Sequence, residues 1–323
     1  MKKKKLTIFD AGVAFVMSFI LAQITSIIGI LLTKYVLIGF GKSNSQIESF
    51  FNTAPGYLLQ ALFMNVAFIF VFVWYIRRVD KREVVNKPNK STLKYVFACI
   101  GLGIATLFLV SGVLNYFQLF IEKLGFKTST LPYELNSTYS YIISLISLAV
   151  IPAVCEELIF RGILVNALKS KGQIFAIPLS SIMFSIFHFS PSQLIYPICF
   201  GLILSIVYLR TNNILFPMLL HFINNALSLS IQYFSNSTGA FSHSASTLIY
   251  AIITFVVWIL IMIRLFNDFK SKCLTQPTET NLKKNKPTHI SNEYDKNNND
   301  KLNNYVLYGS IIIMLCIYIL LNI

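Results

Sequence analysis

The chain has 323 residues, 55% of them hydrophobic and only 12% charged, with a mean hydropathy of +0.65. Soluble domains carry about a quarter charged residues, so a water-soluble globular enzyme is excluded. The net charge of +14 does not mark a nucleic-acid binder, because Lys and Arg gather in short segments at alternate ends of long apolar blocks.

Nine apolar blocks follow one another: 8–32, 56–76, 95–120, 139–160, 174–189, 194–209, 214–233, 248–265 and 305–321. A helix rising about 1.5 Å per residue needs about 20 apolar residues to cross the hydrocarbon core. Only helices satisfy their own backbone in lipid. The expected fold is therefore all-α, a polytopic membrane helix bundle of about eight core spans plus a tethered C-terminal helix. Blocks five and six are short, which suits a tilted helix or one sheltered by protein.

The first block follows Lys2 to Lys5. It is too long for the apolar region of a signal peptide and lacks a clear small-residue cleavage site, so a retained helix is expected. With that end in the cytoplasm, alternation places the basic stretch 77–94, Lys169, Lys171, Arg210 and the Lys-rich segment after Arg264 on the same side. The outer loops then hold only Lys34, Lys42, Lys123 and Lys127. The chain divides into a three-helix N-terminal region (1–138), a catalytic bundle (139–266, core 139–233), a linker (267–304) and a last helix (305–323). The linker is rich in Asn, Lys and Thr and reads as solvated and cytoplasmic. The last helix reads as an anchor.

The cysteines are Cys99, Cys155, Cys199, Cys273 and Cys316. Their number is odd and no CxxC occurs, so neither a disulfide framework nor a zinc ribbon is indicated. Cys155 adjoins an acidic pair, where a small buried filler is the expected role.

Charged residues within spans are costly and mark function. The fourth block holds the dense exception, Pro152-Ala153-Val154-Cys155-Glu156-Glu157-Leu158-Ile159-Phe160-Arg161-Gly162. Glu157 and Arg161 are i, i+4 with the acid first, the favourable order for an ion pair. Glu156 points about 100° away, toward a different partner. Pro152 leaves the carbonyl of Leu148 without its helical donor, which favours a kink. An ion pair that only locks helices explains Glu157 and Arg161 but not the second carboxylate.

Two further polar points lie in later blocks: Phe184 with His188, and His221 with Asn225, each pair i, i+4. A single intramembrane His is usually a helix–helix hydrogen bond. Two of them beside an acidic pair and an Asn point to one shared site. His243 and His289 fall in a loop and in the linker, where they are expected to be solvated. The site residues suit hydrolysis by water. Glu156 could take the proton, while His188 and His221 orient the water, ligate a metal or stabilise the oxyanion. Asn225 could donate to the oxyanion. Neither HExxH nor GxSxG occurs, so zincin and serine-hydrolase sites have no support. Glu156, His188 and His221 would make an acceptable shell for one divalent metal such as zinc.

In these residues the sequence resembles the CAAX-protease and bacteriocin-processing (Abi) family of intramembrane endopeptidases. That family shows EExxxR, then FxxxH, then HxxxN. Here these are Glu156, Glu157 and Arg161, then Phe184 and His188, then His221 and Asn225, over roughly 139–233. The resemblance implies a conical cavity open to one membrane face and hydrolysis of a peptide bond centred on Glu156, His188 and His221, with or without a metal. Bacterial members look like processors of small peptides or immunity factors against bacteriocins. A composition rich in Lys, Asn, Ile and Phe points to an AT-rich bacterial genome, where prenylated substrates are not expected.

The partners implied are a membrane-associated protein or peptide and the bilayer, with no nucleic acid; the oligomeric state is left open. Two other readings remain: a non-catalytic immunity or scaffold protein binding through the same cluster, and a proton-coupled transporter, which predicts a polar path to both faces. Rise counting puts His188 roughly 20 Å into the bilayer, away from Glu156 and His221. The three can meet if the fourth helix projects past the membrane or the fifth starts late. Residues 190–193 are then expected as a loop within the protein.

Overall fold

A computed structural model describes residues 5–84, 93–126, 128, 131, 133–234, 249, 252–261, 263–264, 267 and 304–312. They form helices α1 (Ile8–Gly39), α2 (Asn44–Phe51), α3 (Ala54–Arg78), α4 (Lys81–Val84) and α5 (Leu93–Lys123). The long helix α6 (Thr138–Lys171) comes next, followed by α7 (Gln173–Ile186), α8 (Ile195–Thr211) and α9 (Leu215–Phe234). No strand occurs among the described residues. The linker, His243, His289, Cys273 and Cys316 lie outside them.

Five of these helices are long and apolar enough to cross a membrane: α1, α3, the Tyr95–Lys123 part of α5, α6, and Pro191–Thr211, which includes α8. The count of about eight expected from the sequence goes beyond these five. Two of the three others are α7 and α9, and the third, block 248–265, is described only at 249, 252–261 and 263–264. α7 has only 14 residues. α9 has 20 but carries His221, Asn224, Asn225, Ser228 and Ser230 among its apolar residues. The outer faces confirm a lipid-facing bundle, because large apolar side chains stand exposed in mid-helix. Ile27, Leu31, Phe70 and Leu260 are each at least half exposed. In water such patches would be a liability; in lipid they cost nothing.

Inside, α1, α3 and α6 share one apolar cluster around Phe15, Phe68, Phe160 and Ile163. A second joins α8 and α9 through Phe200, Leu204, Phe216 and Leu220. Lipid gives no hydrophobic push between helices, so close approach through small residues matters more. α7 and α8 meet this way: a Cβ on Gly201 would lie 3.0 Å from Ser181 Cα, and Ser180 and Ser205 hydrogen-bond at 3.1 Å. Residues 304–312, the described part of the last helix, pack on α1. A Cβ on Gly12 would lie 3.1 Å from Leu307 Cα.

α6 is not a uniform α-helix. It passes through two π-helical stretches, Leu145–Val150 and Phe160–Val165, which bracket Ile151–Ile159. Such insertions free backbone carbonyls and often occur at functional sites. Here each is stitched by an asparagine amide. Asn225 Nδ2 donates to Leu148 O at 3.0 Å, the carbonyl that Pro152 cannot serve. Asn166 Nδ2 donates to Arg161 O at 3.2 Å and to Gly162 O at 2.9 Å.

Candidate active site

The i, i+4 register of Glu157 and Arg161 produces the expected ion pair, with Nη1 to Oε1 at 2.8 Å and both side chains fully buried. Burying charges costs several kcal/mol per ion unless further bonds satisfy them. That cost is met in part, since Glu157 Oε2 and Arg161 Nε keep no hydrogen-bond partner. Arg161 Nη2 donates to Gly201 O at 3.3 Å, and the guanidinium lies 4.8 Å above the Phe184 ring. Glu157 Oε1 also meets His221 Nδ1 at 2.9 Å. Glu157 is thus the anchor of His221 as well as of Arg161, a link that helical spacing within one segment cannot reveal.

Phe184 explains its own place in the pattern. Its ring meets Arg161 by its face and stands nearly perpendicular to both imidazoles, 4.9 Å from His188 and 5.9 Å from His221. It is the spacer that sets the two histidines apart. His188 Nδ1 lies 2.9 Å from Phe184 O. A carbonyl only accepts, so Nδ1 carries the proton and Nε2 keeps its lone pair. By the same logic His221 donates Nδ1–H to the Glu157 carboxylate, which leaves Nε2 as its second nitrogen.

The sequence-based helix 174–189 is shorter in the structure. α7 ends at Ile186, and His188 sits in the turn that follows. Phe189 takes a left-handed backbone, φ +49°, unusual for a bulky residue, and stacks on Phe19 with centroids 4.1 Å apart. The segment 190–193 is a loop within the protein, as expected: Pro191 and Ser192 are buried. Ser185 Oγ ties the loop back by donating to Leu194 O at 2.6 Å. α6 runs on to Lys171, 15 residues past Glu156, and α7 starts at Gln173, 15 residues before His188, so the two meet at the same cavity.

Glu156, Phe184, His188, His221 and Asn225 all line one cavity of about 730 Å³. Glu157 and Arg161 lie behind it. Glu156 Oε2 has no hydrogen-bond partner. Asn225 is held in a chain of amides: Tyr196 Oη donates to Asn224 Oδ1, Asn224 Nδ2 donates to Asn225 Oδ1 at 3.3 Å, and Asn225 Nδ2 donates to Leu148 O. One N–H of that NH₂ group remains available. Sequence reasoning missed Tyr196 and Asn224, although Asn224 adjoins Asn225. It also missed Gln23, Gln60 and Asn65, which line the same cavity from α1 and α3. Their signal was an amide within an apolar block. Cys155 is buried beside the site, as the small filler reading expects.

A catalytic zinc needs three protein ligands converging on one point. Among the described residues no three His, Cys, Asp or Glu side chains form such a group, although the bonding of both Nδ1 atoms to protein acceptors leaves Nε2 as the atom each histidine would offer a metal. Glu156, His188 and His221 are thus not gathered into a ligand group in this arrangement.

The profile of the type II CAAX prenyl endopeptidase Rce1-like family matches residues 138–227. The protein described as "Putative membrane peptidase YdiL" of Bacillus subtilis (strain 168) is 24% identical over 220 residues, 67% of this chain and 87% of that protein. No solved structure matches the chain. The matched segment spans every residue of the three motifs, so the chain is similar to this family in the residues that build the site.

Proposed function

We propose that this protein is an intramembrane endopeptidase that cuts a membrane-associated protein or peptide with a Glu-activated water, its N-terminus facing the cytoplasm. The observation that carries the reading is the division of labour between adjacent carboxylates. Glu157 Oε1 is held by Arg161 and His221 behind the cavity, while Glu156 lines the cavity itself.

A water between Glu156 and His188 Nε2 gives its proton to the Glu156 carboxylate as its oxygen attacks the scissile carbonyl. The carbonyl π electrons move onto oxygen. That oxyanion is met by the second N–H of Asn225 and, when His221 is protonated, by its Nε2–H, with Glu157 as the counter-ion. Glu156 then returns the proton to the leaving amine as the C–N bond breaks. Peptide or bacteriocin processing and self-immunity are the biological roles this chemistry suits.

The test compares wild type with Glu156→Gln at matched membrane abundance in cells lacking the native copy. New peptide termini in membrane and medium are read by mass spectrometry. Termini present only with wild type support proteolysis and identify substrates. Identical profiles, with a phenotype both variants rescue, would leave a non-catalytic immunity or scaffold role instead.

A further inference from the structure

A groove of about 460 Å³ runs along the outer face of α3, and among the described residues it shares no lining side chain with the cavity of Glu156. Val66, Ile69, Phe70 and Val73 form its apolar length, Trp74 stands next, and Arg77 and Arg78 end it. These positions recur three or four residues apart, so they form one stripe of the helix. The other side of α3, with Phe68, Val71 and Tyr75, is buried in the apolar cluster shared with α1 and α6. At about 1.5 Å per residue, Val66 and Arg77 are about 16 Å apart along the helix axis. One leaflet holds about 15 Å of the hydrocarbon core. The stripe therefore matches the depth of one leaflet: apolar along its length, an indole at the boundary, and two guanidinium groups at the level of the headgroups.

The second observation concerns charge. Arg77 and Arg78 are both exposed, and Arg78 Cζ lies 3.8 Å over the Trp74 ring. That stacking holds one guanidinium at the end of the groove while its edge N–H groups stay free to point elsewhere. The sequence from 77 to 94 carries seven Lys or Arg against two acidic residues, Asp80 and Glu83. A basic cluster at the end of a membrane helix attracts anionic headgroups. Cations in the last turn also suit the helix dipole, but the dipole gives no reason for an apolar groove that ends at them.

We propose that this groove binds one anionic phospholipid, an acyl chain lying along Val66, Ile69, Phe70 and Val73 and the headgroup phosphate held by Arg77 and Arg78. Arginine presents its N–H donors in a planar fork that matches phosphate oxygens two at a time. A zwitterionic lipid brings its own cation to the same level, where it stands against the arginines. The acyl chain gains little over bulk lipid, because its surroundings are hydrocarbon either way. The phosphate therefore supplies the selection, and the chain fixes where the lipid sits. The site is separate from the hydrolytic one, and the proposal stands or falls apart from the protease reading.

The chain holds two tryptophans, Trp74 and Trp258, so the full-length protein carrying Trp258→Phe reports from the groove alone. It is reconstituted in phosphatidylcholine vesicles in which a minor share of the lipid is brominated on its acyl chains. That share is either phosphatidylglycerol or phosphatidylcholine, and bromine quenches an indole only on close contact. Brominated phosphatidylglycerol is expected to quench Trp74 as though enriched about tenfold over its bulk share, and brominated phosphatidylcholine in proportion to its share. Arg77→Gln combined with Arg78→Gln should make the two lipids quench equally, each protein being referred to its own unquenched emission because Arg78 stacks on the ring. Arg77→Gln alone, which leaves that stacking in place, should lower the enrichment about threefold. Equal quenching by both lipids before the arginines are changed would overturn the proposal, as would an enrichment that survives the loss of both. Relief of quenching by soluble glycerol phosphate would make this a site for a free phosphate and overturn it too. Should Trp258→Phe fail to accumulate, native mass spectrometry counts the phosphatidylglycerol retained by wild type and by the double arginine variant. One molecule fewer is expected in the variant, and an equal count would overturn the proposal.

Discussion

Glu157 is fully buried and its Oε1 is held by Arg161 and by His221. Glu156, one residue earlier on the same turn, borders a cavity of about 730 Å³ and keeps an oxygen without a partner. The region behind the site is closed and ion-paired, though Glu157 Oε2 and Arg161 Nε keep no hydrogen-bond partner, and the region in front is open. The difference shows how a membrane protein can keep two carboxylates in adjacent positions. One is part of the scaffold that fixes a histidine, and its charge is matched. The other faces the cavity, and in the proposed mechanism it serves the chemistry. Polar residues in a membrane are expensive, so the cavity that Glu156, His188, His221 and Asn225 line together locates the candidate site.

The largest effect is expected from the open side. Glu156→Gln keeps the shape and removes the base, so turnover should fall by at least about a thousandfold. Thermal unfolding in detergent should move little, because Glu156 makes no ion pair with Arg161. A matched loss of stability would erase the contrast between the two carboxylates. Arg161→Met tests the closed side. It leaves Glu157 as a buried charge with only His221, which should cost about 3 kcal/mol or more. The readout is membrane abundance and melting temperature, with activity lost as a consequence. Normal abundance would mean that the buried pair is not the scaffold described.

The charge pattern along the chain was legible from the start. The i, i+4 offset of Glu157 and Arg161 depends only on helix geometry, and the structure returns it at 2.8 Å. The freed carbonyl of Leu148 was equally readable, because Pro152 has no N–H. What served that carbonyl was not readable. Asn225 lies 77 residues away, and sequence spacing carries no information across helices. For the same reason His221 could be assigned to the site but not to Glu157. The end of α7 was misjudged because Phe187, His188 and Phe189 continue the apolar run, whereas the backbone turns to bury Pro191 and Ser192. Gln60 and Asn65 were visible as amides in an apolar block, but only the packing of α3 against α6 brings them to the cavity.

A smaller effect is expected where the two regions meet. Asn225→Ala removes the brace on Leu148 O and the remaining N–H that the oxyanion would use. The brace is worth about 1 kcal/mol in stability. The oxyanion contact is worth about a hundredfold in kcat. A melting curve and a turnover measurement separate the two. Loss of stability alone would place Asn225 wholly on the closed side.

The smallest effect should come from Tyr196→Phe, and it is the most informative about how the site is aimed. Tyr196 Oη donates to Asn224 Oδ1, which orients the Asn224 amide so that Nδ2 reaches Asn225 Oδ1. That contact in turn fixes which end of the Asn225 amide faces Leu148. Without the hydroxyl, Asn224 can flip at little cost, and Asn225 loses the preference for the orientation that presents N–H to the cavity. One neutral hydrogen bond is worth about 1 kcal/mol, or roughly fivefold in kcat, with KM unchanged because Tyr196→Phe keeps the ring against Phe200. The loss should vanish in the Asn225→Ala background, where nothing remains to be oriented. An undiminished loss there would mean that Tyr196 acts on the substrate directly from its own place in the cavity wall.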